Sequence, residues 1–484
     1  MRRILHKSIV LAVALAACTV EAPQEEAAPS EATQEQLTAT TDASTEAFLD
    51  DLQRRTFQWF WDTTNAGNGL VPDRWPTVTF ASVAAIGFGL TAYGVGAERG
   101  YVTREQARDR TLTTLRFLWY APQGDAPRGV TGHRGFFYHF LDMEGGRRYE
   151  RTELSSIDTT LLIAGALFAQ SYFDREDEAE REIRDLAERL YRRIEWNWMQ
   201  PRPPLVAMAW TPESGMHDYD YRAYEEAMIL YVLAMASPDH AISPEAWKAR
   251  TANYNWNRFY GYEFINYAPL FIHQYSHIWI DFRGIQDAYT RGKGIDYFEN
   301  SRRATLAQRA YAAENPNGFR DYSERIWGLT ACDGPADATA TVDGREIRFH
   351  TYWARGASAG DIRDDGTIAP TAAGGSMPFA PEIVVPALQE MRRRYGERVY
   401  RKYGFIDAFN PTFAAAGLKP ATGTVDADGW FDVDYLGIDQ GPILLMTENH
   451  RSGLIWRVMK RNPHLVRGLC MAGFSGGWLE GRCQ

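Results

Sequence analysis

The sequence has few cysteines and lacks a cluster of basic residues on any one segment. The cysteines are Cys18, Cys332, Cys470 and Cys483, and none has the Cys/His spacing typical of a zinc site. The formal net charge is -10, whereas nucleic-acid binding needs a basic footprint. We therefore expect neither a metal nor another cofactor and no nucleic-acid partner, and the negative charge argues against a polyanionic substrate.

A hydrophobic run long enough to cross a bilayer is also lacking near the first residues. The apolar stretch from Ile9 to Ala17 follows three basic residues and is too short for a membrane span; this order is typical of a secretory signal. Leu-Ala-Ala-Cys at 15–18 is similar to the bacterial lipobox, in which the cysteine is acylated. We expect a signal peptide over 1–17 and a lipid anchor at Cys18, which would be the protein's one contact with the membrane. Thr19 in place of Asp favours the outer membrane, on its periplasmic or surface face.

Large apolar residues are nearly absent from 18–45, which is rich in Glu, Ala, Thr, Gln, Pro and Ser. Such a composition cannot bury enough apolar surface to offset the entropy of ordering. We expect a flexible tether over 18–45. No second low-complexity stretch follows, which indicates one catalytic domain over 46–484.

Alternating strand patterns are scarce, whereas apolar residues at helical spacing are frequent. A capping box of Thr103 with Gln106 and a Gly100 beyond the preceding helix support the predicted boundaries. The best hairpin candidate is Thr339 to Tyr352, around Asp343-Gly344. Helices are predicted over Phe48–Trp61, Phe80–Glu98, Arg104–Trp119, Ile157–Phe173, Glu176–Trp196, Ala223–Met235, Ala246–Asn257, Ala304–Glu314 and Ile383–Tyr395.

The loops between these helices are long and carry aromatic residues beside carboxylates, a pairing that indicates a site built on a helical scaffold. Aromatic faces stack on sugar rings, and the chain has 15 Trp, 25 Tyr and 24 Phe. Six loop motifs stand in order: ELSSIDT at 153–159, WTPE at 210–213, HQYSHIWID at 273–281, DYFENS at 296–301, WGLT at 327–330 and GIDQGP at 437–442.

Together these motifs resemble the glucoamylase-like domain of glycoside hydrolase family 144, over nearly everything from Phe48 to Trp478. The resemblance implies an all-α fold, an (α/α)6 toroid with long rim loops and a few short strands. It also implies hydrolysis of β-1,2-linked glucans with inversion and without a metal.

Inverting hydrolysis needs one neutral carboxyl group to protonate the leaving oxygen and one carboxylate to activate water. Glu213 follows Trp210 and Pro212 with no cation beside it in sequence, so we predict that it is the acid with a raised pKa. Asp439, at the start of an apolar helix where the dipole stabilises an anion, is the predicted base. Each has a plainer alternative, since Glu213 could cap or bind sugar and Asp439 could be an ordinary N-cap.

Further residues are predicted to contact the glucan. Glu153 and Asp158 flank a Ser-Ser pair at a helix start, where capping is the alternative. His273 and His277, four residues apart, suggest sugar contact or core packing rather than zinc, and one of Glu225 and Glu226 is expected to be a structural charge partner. The predicted substrate-binding residues are Asp142, Glu153, Asp158, Trp210, Tyr224, Glu225, His273, His277, Arg320, Glu324, Trp327 and Asp434.

Several alternatives stay open from the sequence. A non-catalytic glucan-binding lipoprotein, a polysaccharide lyase and a transglycosylase could use the same toroid. Endo and exo action are both compatible with it, and 332–370 is the segment most able to close one end of the cleft. The oligomeric state is undetermined, and three pairings are possible among Cys332, Cys470 and Cys483, of which Cys470–Cys483 would fasten the C-terminus.

Overall fold

The computed structural model describes residues 31–483, with side chains from residue 43 onward. The predicted signal peptide and Cys18 lie outside the described residues. The described residues divide into two compact units, one up to Glu46 and one from Ala47 onward. Within the described range, no helix combines the length and apolarity that crossing a membrane requires.

Helices dominate the described residues, and the strands between them are short. The helices are α1 Glu31–Thr63, α2 Val83–Glu98, α3 Arg104–Tyr120, α4 Ser156–Tyr172, α5 Glu178–Arg192, α6 Met228–Ala236, α7 Glu245–Thr251, α8 Tyr275–Trp279, α9 Ala288–Lys293, α10 Tyr297–Glu314, α11 Pro370–Gly374, α12 Pro381–Tyr395, α13 Gly437–Arg451, α14 Leu454–Met459 and α15 Pro463–Met471. Short 3-10 turns cover Trp196–Met199, Leu270–His273, Gly396–Arg398, Pro411–Ala416 and Gly477–Leu479.

The strands form small antiparallel sheets of two or three members. They are β1 Arg74–Trp75, β2 Ala81–Ser82, β3 Gly132–His133, β4 Phe136–Phe137, β5 Phe140–Leu141, β6 Leu154–Ser155, β7 Val206–Ala207, β8 Ala209–Thr211, β9 Gly215–Met216, β10 Asp220–Tyr221, β11 Trp256–Phe259, β12 Tyr262–Ile265, β13 Ala331–Asp333, β14 Ala338–Val342, β15 Arg345–Phe349, β16 Tyr352–Ala354, β17 Gly356–Ser358, β18 Asp361–Arg363, β19 Tyr400–Arg401, β20 Gly404–Phe405, β21 Phe409–Asn410, β22 Thr424–Asp426, β23 Gly429–Phe431 and β24 Tyr435–Leu436. Several join distant segments, as β1 with β24 and β6 with β8 and β9.

The crossing of α2 and α4 is set by two glycines. A Cβ at Gly87 would lie 2.1 Å from the carbonyl oxygen of Leu161, and one at Gly165 would lie 2.1 Å from the carbonyl oxygen of Gly87. The two backbones therefore approach as closely as only glycine allows. On another face of α2, the ring of Phe88 fills the space beside Gly441 of α13. These contacts fix three helices whose first turns meet at one place.

Most predicted helices are confirmed, with shifts at their ends. The Thr103–Gln106 capping box is present, and Gly100 has a φ of +67° after α2. Helix α10 begins earlier than predicted because Asp296 accepts a hydrogen bond from the Glu299 amide and caps it. The helix predicted over Ala246–Asn257 ends at Thr251, and β11 follows.

Two other differences concern helix starts. The helix predicted from Ala223 begins only at Met228, because the amide of Ala223 is bound by the Glu225 side chain instead. Helix α1 begins at Glu31, inside the segment predicted as a flexible tether. Glu, Ala and Gln there are good helix formers, and the remainder of that segment, 18–30, lies outside the described residues.

The predicted hairpin and one cysteine pairing are confirmed. β14 and β15 pair around Asp343 and Gly344, which both have a positive φ, as a two-residue hairpin turn requires. Cys470 and Cys483 form a disulfide with their Cα atoms 5.3 Å apart. Cys332 is a buried free thiol.

Candidate active site

A cavity of about 390 Å³ lies where the first turns of several helices meet. α2, α4, α8 and α13 each contribute a residue from their first turns, and α6 begins two residues after Glu226. Helix starts carry unpaired amide groups and favour anions, so this is a suitable place for carboxylates. The lining is Ala84, His139, Glu153, Ser155, Ile157, Asp158, Leu161, Met208, Ala209, His217, Tyr221, Glu226, Phe271, Tyr275, Ala331, Tyr352 and Ile438.

One wall of the cavity is a histidine held between two carboxylates. Nδ1 of His139 lies 2.8 Å from Oε1 of Glu153, and its Nε2 lies 3.4 Å from Oδ1 of Asp158. Burial alone would lower the pKa of His139, but the carboxylates of Asp158 and Glu153 outweigh it and raise the pKa to about 9. The imidazole is therefore cationic at neutral pH. Glu153 and Asp158 thus line the cavity, and their contact with the glucan stays a prediction.

Asp158 combines this position with a capping contact. Ser155 is the N-cap of α4 and accepts a hydrogen bond from the Asp158 amide, while its hydroxyl donates to Oδ2 of Asp158. Asp158 therefore takes part in the cap of α4 and also lines the cavity. The two contacts fix the orientation of the Asp158 carboxylate.

Glu226 faces the same cavity and carries a carboxyl group that favours its neutral form. Burial raises its pKa to about 7, and the nearby carboxylates of Glu225 and Asp158 add to the rise. The hydroxyl of Tyr221 donates a hydrogen bond to Oε1 of Glu226, 3.2 Å away. A partly exposed, half-protonated carboxyl group in an open cavity has the properties of a proton donor.

Aromatic side chains line the space between the carboxylates. Tyr275 packs against Phe271 and donates its hydroxyl to the Ile438 carbonyl oxygen, 3.1 Å away. Burial raises the pKa of Tyr275 well above its usual value, and the carboxylates of Asp439, Glu226 and Asp158 add to the rise. Tyr352 is half exposed at the rim.

Asp439, in the first turn of α13, follows the lining residue Ile438 and does not itself line the cavity. It is 3% exposed, and burial raises its pKa to about 7, although a hydrogen bond from Asp407 opposes the rise. Asp407 is completely buried. Its amide-facing oxygen, Oδ2, accepts a hydrogen bond of 2.7 Å from the Asp333 backbone.

Further carboxylates surround Asp407. Two of them, together with Asp407, are spaced as the ligands of a hard cation would be. One oxygen each of Asp333, Asp407 and Asp432 lies within 4.8 Å of the others. Arg74 already neutralises Asp333 at 2.7 Å, and burial raises the pKa of both Asp407 and Asp432 well above the usual range. Since protons and Arg74 account for the charge, we assign no metal to these residues.

The predicted environment of Glu213 is wrong. Its carboxylate receives hydrogen bonds of 2.8 and 3.0 Å from the guanidinium of Arg148, and these hydrogen bonds lower its pKa. Glu213 is exposed in the β8–β9 turn and does not line the cavity. An ionised, surface carboxylate of this kind is unsuited to donate a proton at neutral pH.

The assignment of Glu225 to the cavity is also wrong, and Glu226 takes that place. Glu225 turns inward, where it accepts hydrogen bonds from the amides of Arg222 and Ala223 and lies 3.9 Å from Arg250. Arg250 is completely buried. Glu225 is thus the structural charge partner of the pair.

Four aromatic or histidine residues predicted to bind substrate are core residues. His273 packs against Tyr224, and His277 packs against Phe282. Burial lowers the pKa of His273 to about 4 and that of His277 to about 3, so both are neutral. Trp327 and Tyr224 are no more than 1% exposed, and neither lines the cavity.

The remaining predicted contacts also lie outside the cavity lining. Asp142 binds the amides of Glu144, Gly145 and Arg147 in its own loop. Arg320 and Glu324 are surface residues in ion pairs with Asp428 and Arg309. Asp434 accepts a hydrogen bond from the amide of Thr77. Trp210 stacks on His133 with ring centroids 4.9 Å apart.

His139, Tyr275, Tyr352 and Asp407 were missed as site residues. Tyr275 stands inside the HQYSHIWID motif, midway between His273 and His277, so the motif itself was a signal that could have found it. His139 has no local signal, because its partners Glu153 and Asp158 are 14 and 19 positions away along the chain.

Comparison with known proteins identifies the family. Residues 218–463, just over half of the chain, match the family described as "Putative glucoamylase". An exo β-1,2-glucooligosaccharide sophorohydrolase (non-reducing end) from Parabacteroides distasonis is 28% identical over 468 residues, which cover 90% of this chain. The chain spans 59% of the length of that curated relative.

Solved structures agree. A "putative glucoamylase" from Bacteroides uniformis is 31% identical, with 90% of this chain and 99% of that one covered and a TM-score of 0.76. An endo-β-1,2-glucanase from Chitinophaga pinensis, in complex with sophorotriose and glucose, is 27% identical, with 90% and 99% covered and a TM-score of 0.74. The resemblance read from the loop motifs is confirmed: this chain belongs to the glucoamylase-like family.

Proposed function

We propose that this protein hydrolyses β-1,2-linked glucan or its oligosaccharides by an inverting, two-carboxylate mechanism. The observation that carries the proposal is Glu226, a carboxyl group with a pKa of about 7 in an aromatic-walled cavity. The linkage rests on the relatives, which are named for β-1,2-glucan and its oligosaccharides.

In the proposed reaction, Glu226 protonates the glycosidic oxygen as its bond to the anomeric carbon breaks. A water molecule attacks that carbon from the opposite face, and Asp439 takes the proton that the water loses. Two product hydroxyls form; Glu226 then regains a proton from solvent and Asp439 releases the proton that it took, so both groups return to their starting forms. Inverting enzymes hold the two carboxyl groups roughly 6.5–9.5 Å apart to leave room for the water.

The other cavity residues are assigned to substrate positioning. Tyr275, Phe271 and Tyr352 offer ring faces on which the apolar faces of glucose units can stack. Glu153 and Asp158 offer carboxylate oxygens to sugar hydroxyls, and the His139 cation lies between them. Its hydrogen bond and charge outweigh the effect of burial and lower the pKa of Glu153. Burying carboxylates beside a cation costs less free energy than burying the same carboxylates unpaired.

The test is digestion of linear and cyclic glucans of defined linkage, followed by chromatography and by polarimetry of the fresh products. Release of short β-1,2-linked products as the α-anomer supports the proposal. Products from another linkage alone would contradict the substrate assignment. An ultraviolet-absorbing unsaturated product would identify a lyase instead, and labelled water absent from the new reducing end would identify a transglycosylase.

We propose in addition that the helices close into an (α/α)6 toroid. The convergence of helix starts on one cavity and the similarity to the Chitinophaga glucanase over 99% of that chain support this architecture. A crystal structure in which inner and outer rings close around the cavity is expected, and an open array of helices would contradict it.

We also propose that the protein is exported and lipid-anchored at Cys18, most simply in the outer membrane. Small residues before Cys18 and basic residues near position 1 support this. In a bacterial host, labelled palmitate should enter the wild-type protein and not Cys18→Ser. Equal labelling of both, or of neither, would contradict the anchor.

A further inference from the structure

Asp407 and Asp439 form a buried pair of acidic residues, and the proposed reaction assigns a role only to Asp439. Burial raises the pKa of both carboxyl groups, and a hydrogen bond from the Asp407 side chain opposes the rise at Asp439. Each has one buried oxygen, Oδ1 of Asp407 and Oδ2 of Asp439, that no N–H or O–H group in the described part of the chain reaches. Two carboxylates in contact cannot both be ionised, because their repulsion in a dry environment is too large. A single proton between them removes both the repulsion and the unpaired oxygens.

The surroundings decide which carboxyl group keeps that proton. Asp439 is in the first turn of α13, where the helix dipole stabilises an anion. Asp407 is completely buried and faces two further carboxyl groups, Asp333 and Asp432. Its other oxygen is fixed by the Asp333 amide at 2.7 Å, which leaves Oδ1 free to carry the proton toward Asp439.

We propose that Asp407 is a positioning residue that stays protonated and donates a hydrogen bond to Asp439, so that the base of the reaction is held ionised and in one orientation. The inference deepens the proposed function and rests on it for the role of Asp439. In the proposed reaction, Asp407 touches neither the substrate nor the attacking water and acts through Asp439.

Other groups around the pair contribute to its charge balance. The cation near Asp439 is Arg74, which is already bound to Asp73 and Asp333. The tyrosines beside Asp439 have raised pKa values and stay neutral. The titratable and charged groups facing the pair are Asp73, Arg74, Tyr275, Cys332, Asp333, Tyr352 and Asp432.

Three variants test the inference through the pH dependence of turnover. Asp407→Ala removes the donor, so Asp439 becomes harder to ionise and the acidic limb of the kcat profile should move up by about one pH unit, the shift expected on losing one hydrogen bond to a charged group. KM should stay nearly constant. Asp407→Asn retains both a donor and an acceptor and should rescue most of the lost turnover. Asp432→Asn removes a buried neighbour with no hydrogen bond to Asp439 and should leave the limb in place.

A second measurement needs neither substrate nor the Ala variant. The infrared spectrum of the wild type minus that of Asp407→Asn, at neutral pH, should contain the carbonyl band of one protonated carboxylic acid, while Glu226 cancels because both proteins have it. Absence of that band, or an unmoved limb in Asp407→Ala, overturns the inference. If the band is present but the wild type cleaves no β-1,2-glucan, the acid pair stands and the proposed function fails.

Discussion

Arg148 holds the carboxylate of Glu213 by two parallel hydrogen bonds across 65 positions of sequence. The guanidinium is completely buried, whereas the carboxylate is partly exposed. Arg148 also donates to the carbonyl oxygens of Thr152 and Pro127 and lies over the ring of Tyr138. The pair thus joins the β8–β9 turn to the loop before α4.

This arrangement predicts unequal effects for the two partners. Arg148→Met should lower the free energy of unfolding by about 2–3 kcal/mol, since it leaves two carbonyl groups without a donor. Glu213→Gln should change it little, because the amide still accepts from the guanidinium in a solvated position. Urea unfolding with an unchanged m-value measures both changes. Equal losses would show that the ion pair, and not the carbonyl contacts, stabilises the loop.

His139 predicts a pH-dependent contribution to stability. Its pKa is about 9 in the folded protein and about 6.5 when unfolded, so the stabilisation is fully present below about pH 6.5 and is lost as the pH rises through 9. The shift corresponds to roughly 3 kcal/mol.

The measurement is the difference in unfolding free energy between the wild type and His139→Gln at pH 6 and pH 10. The wild type should lose its advantage at the higher pH. A difference that is constant over this range would mean that His139 is neutral between Glu153 and Asp158.

The glycine crossing of α2 and α4 predicts a strong steric effect. Gly87→Ala places a methyl group 2.1 Å from the Leu161 carbonyl oxygen, so the helices must separate, at a cost of about 3 kcal/mol or more. Gly292→Ala is the matched control, because its Cβ meets nothing within 4 Å and alanine favours the helix. Thermal unfolding should show a marked loss for the first variant and none for the second.

The sequence predicted what depends on neighbours along the chain. Periodicity and caps such as Thr103 placed the main helices, and Asp343-Gly344 placed the hairpin. Six motifs identified the family, and two residues that one of them contains, Glu153 and Asp158, line the cavity.

Residues whose properties depend on distant partners were not predictable in the same way. Glu213 seemed free of cations because Arg148 is remote in sequence. Glu225 and Glu226 are adjacent and alike, and only the turn before α6 decides which one faces Arg250 and which one faces the cavity. The histidine pair matched the spacing of a site, yet both rings fill gaps between aromatic side chains.

The proposed hydrolysis depends most on Glu226 being the proton donor. The kinetics of Glu226→Gln and Glu213→Gln on a β-1,2-linked oligosaccharide test this role directly. Loss of a general acid should lower the kcat of Glu226→Gln by about 10²–10⁴-fold, while calorimetry still detects binding of the oligosaccharide. Glu213→Gln should keep turnover close to that of the wild type. A Glu226→Gln enzyme with near wild-type kcat, or a Glu213→Gln enzyme that is inactive although folded, would contradict the account.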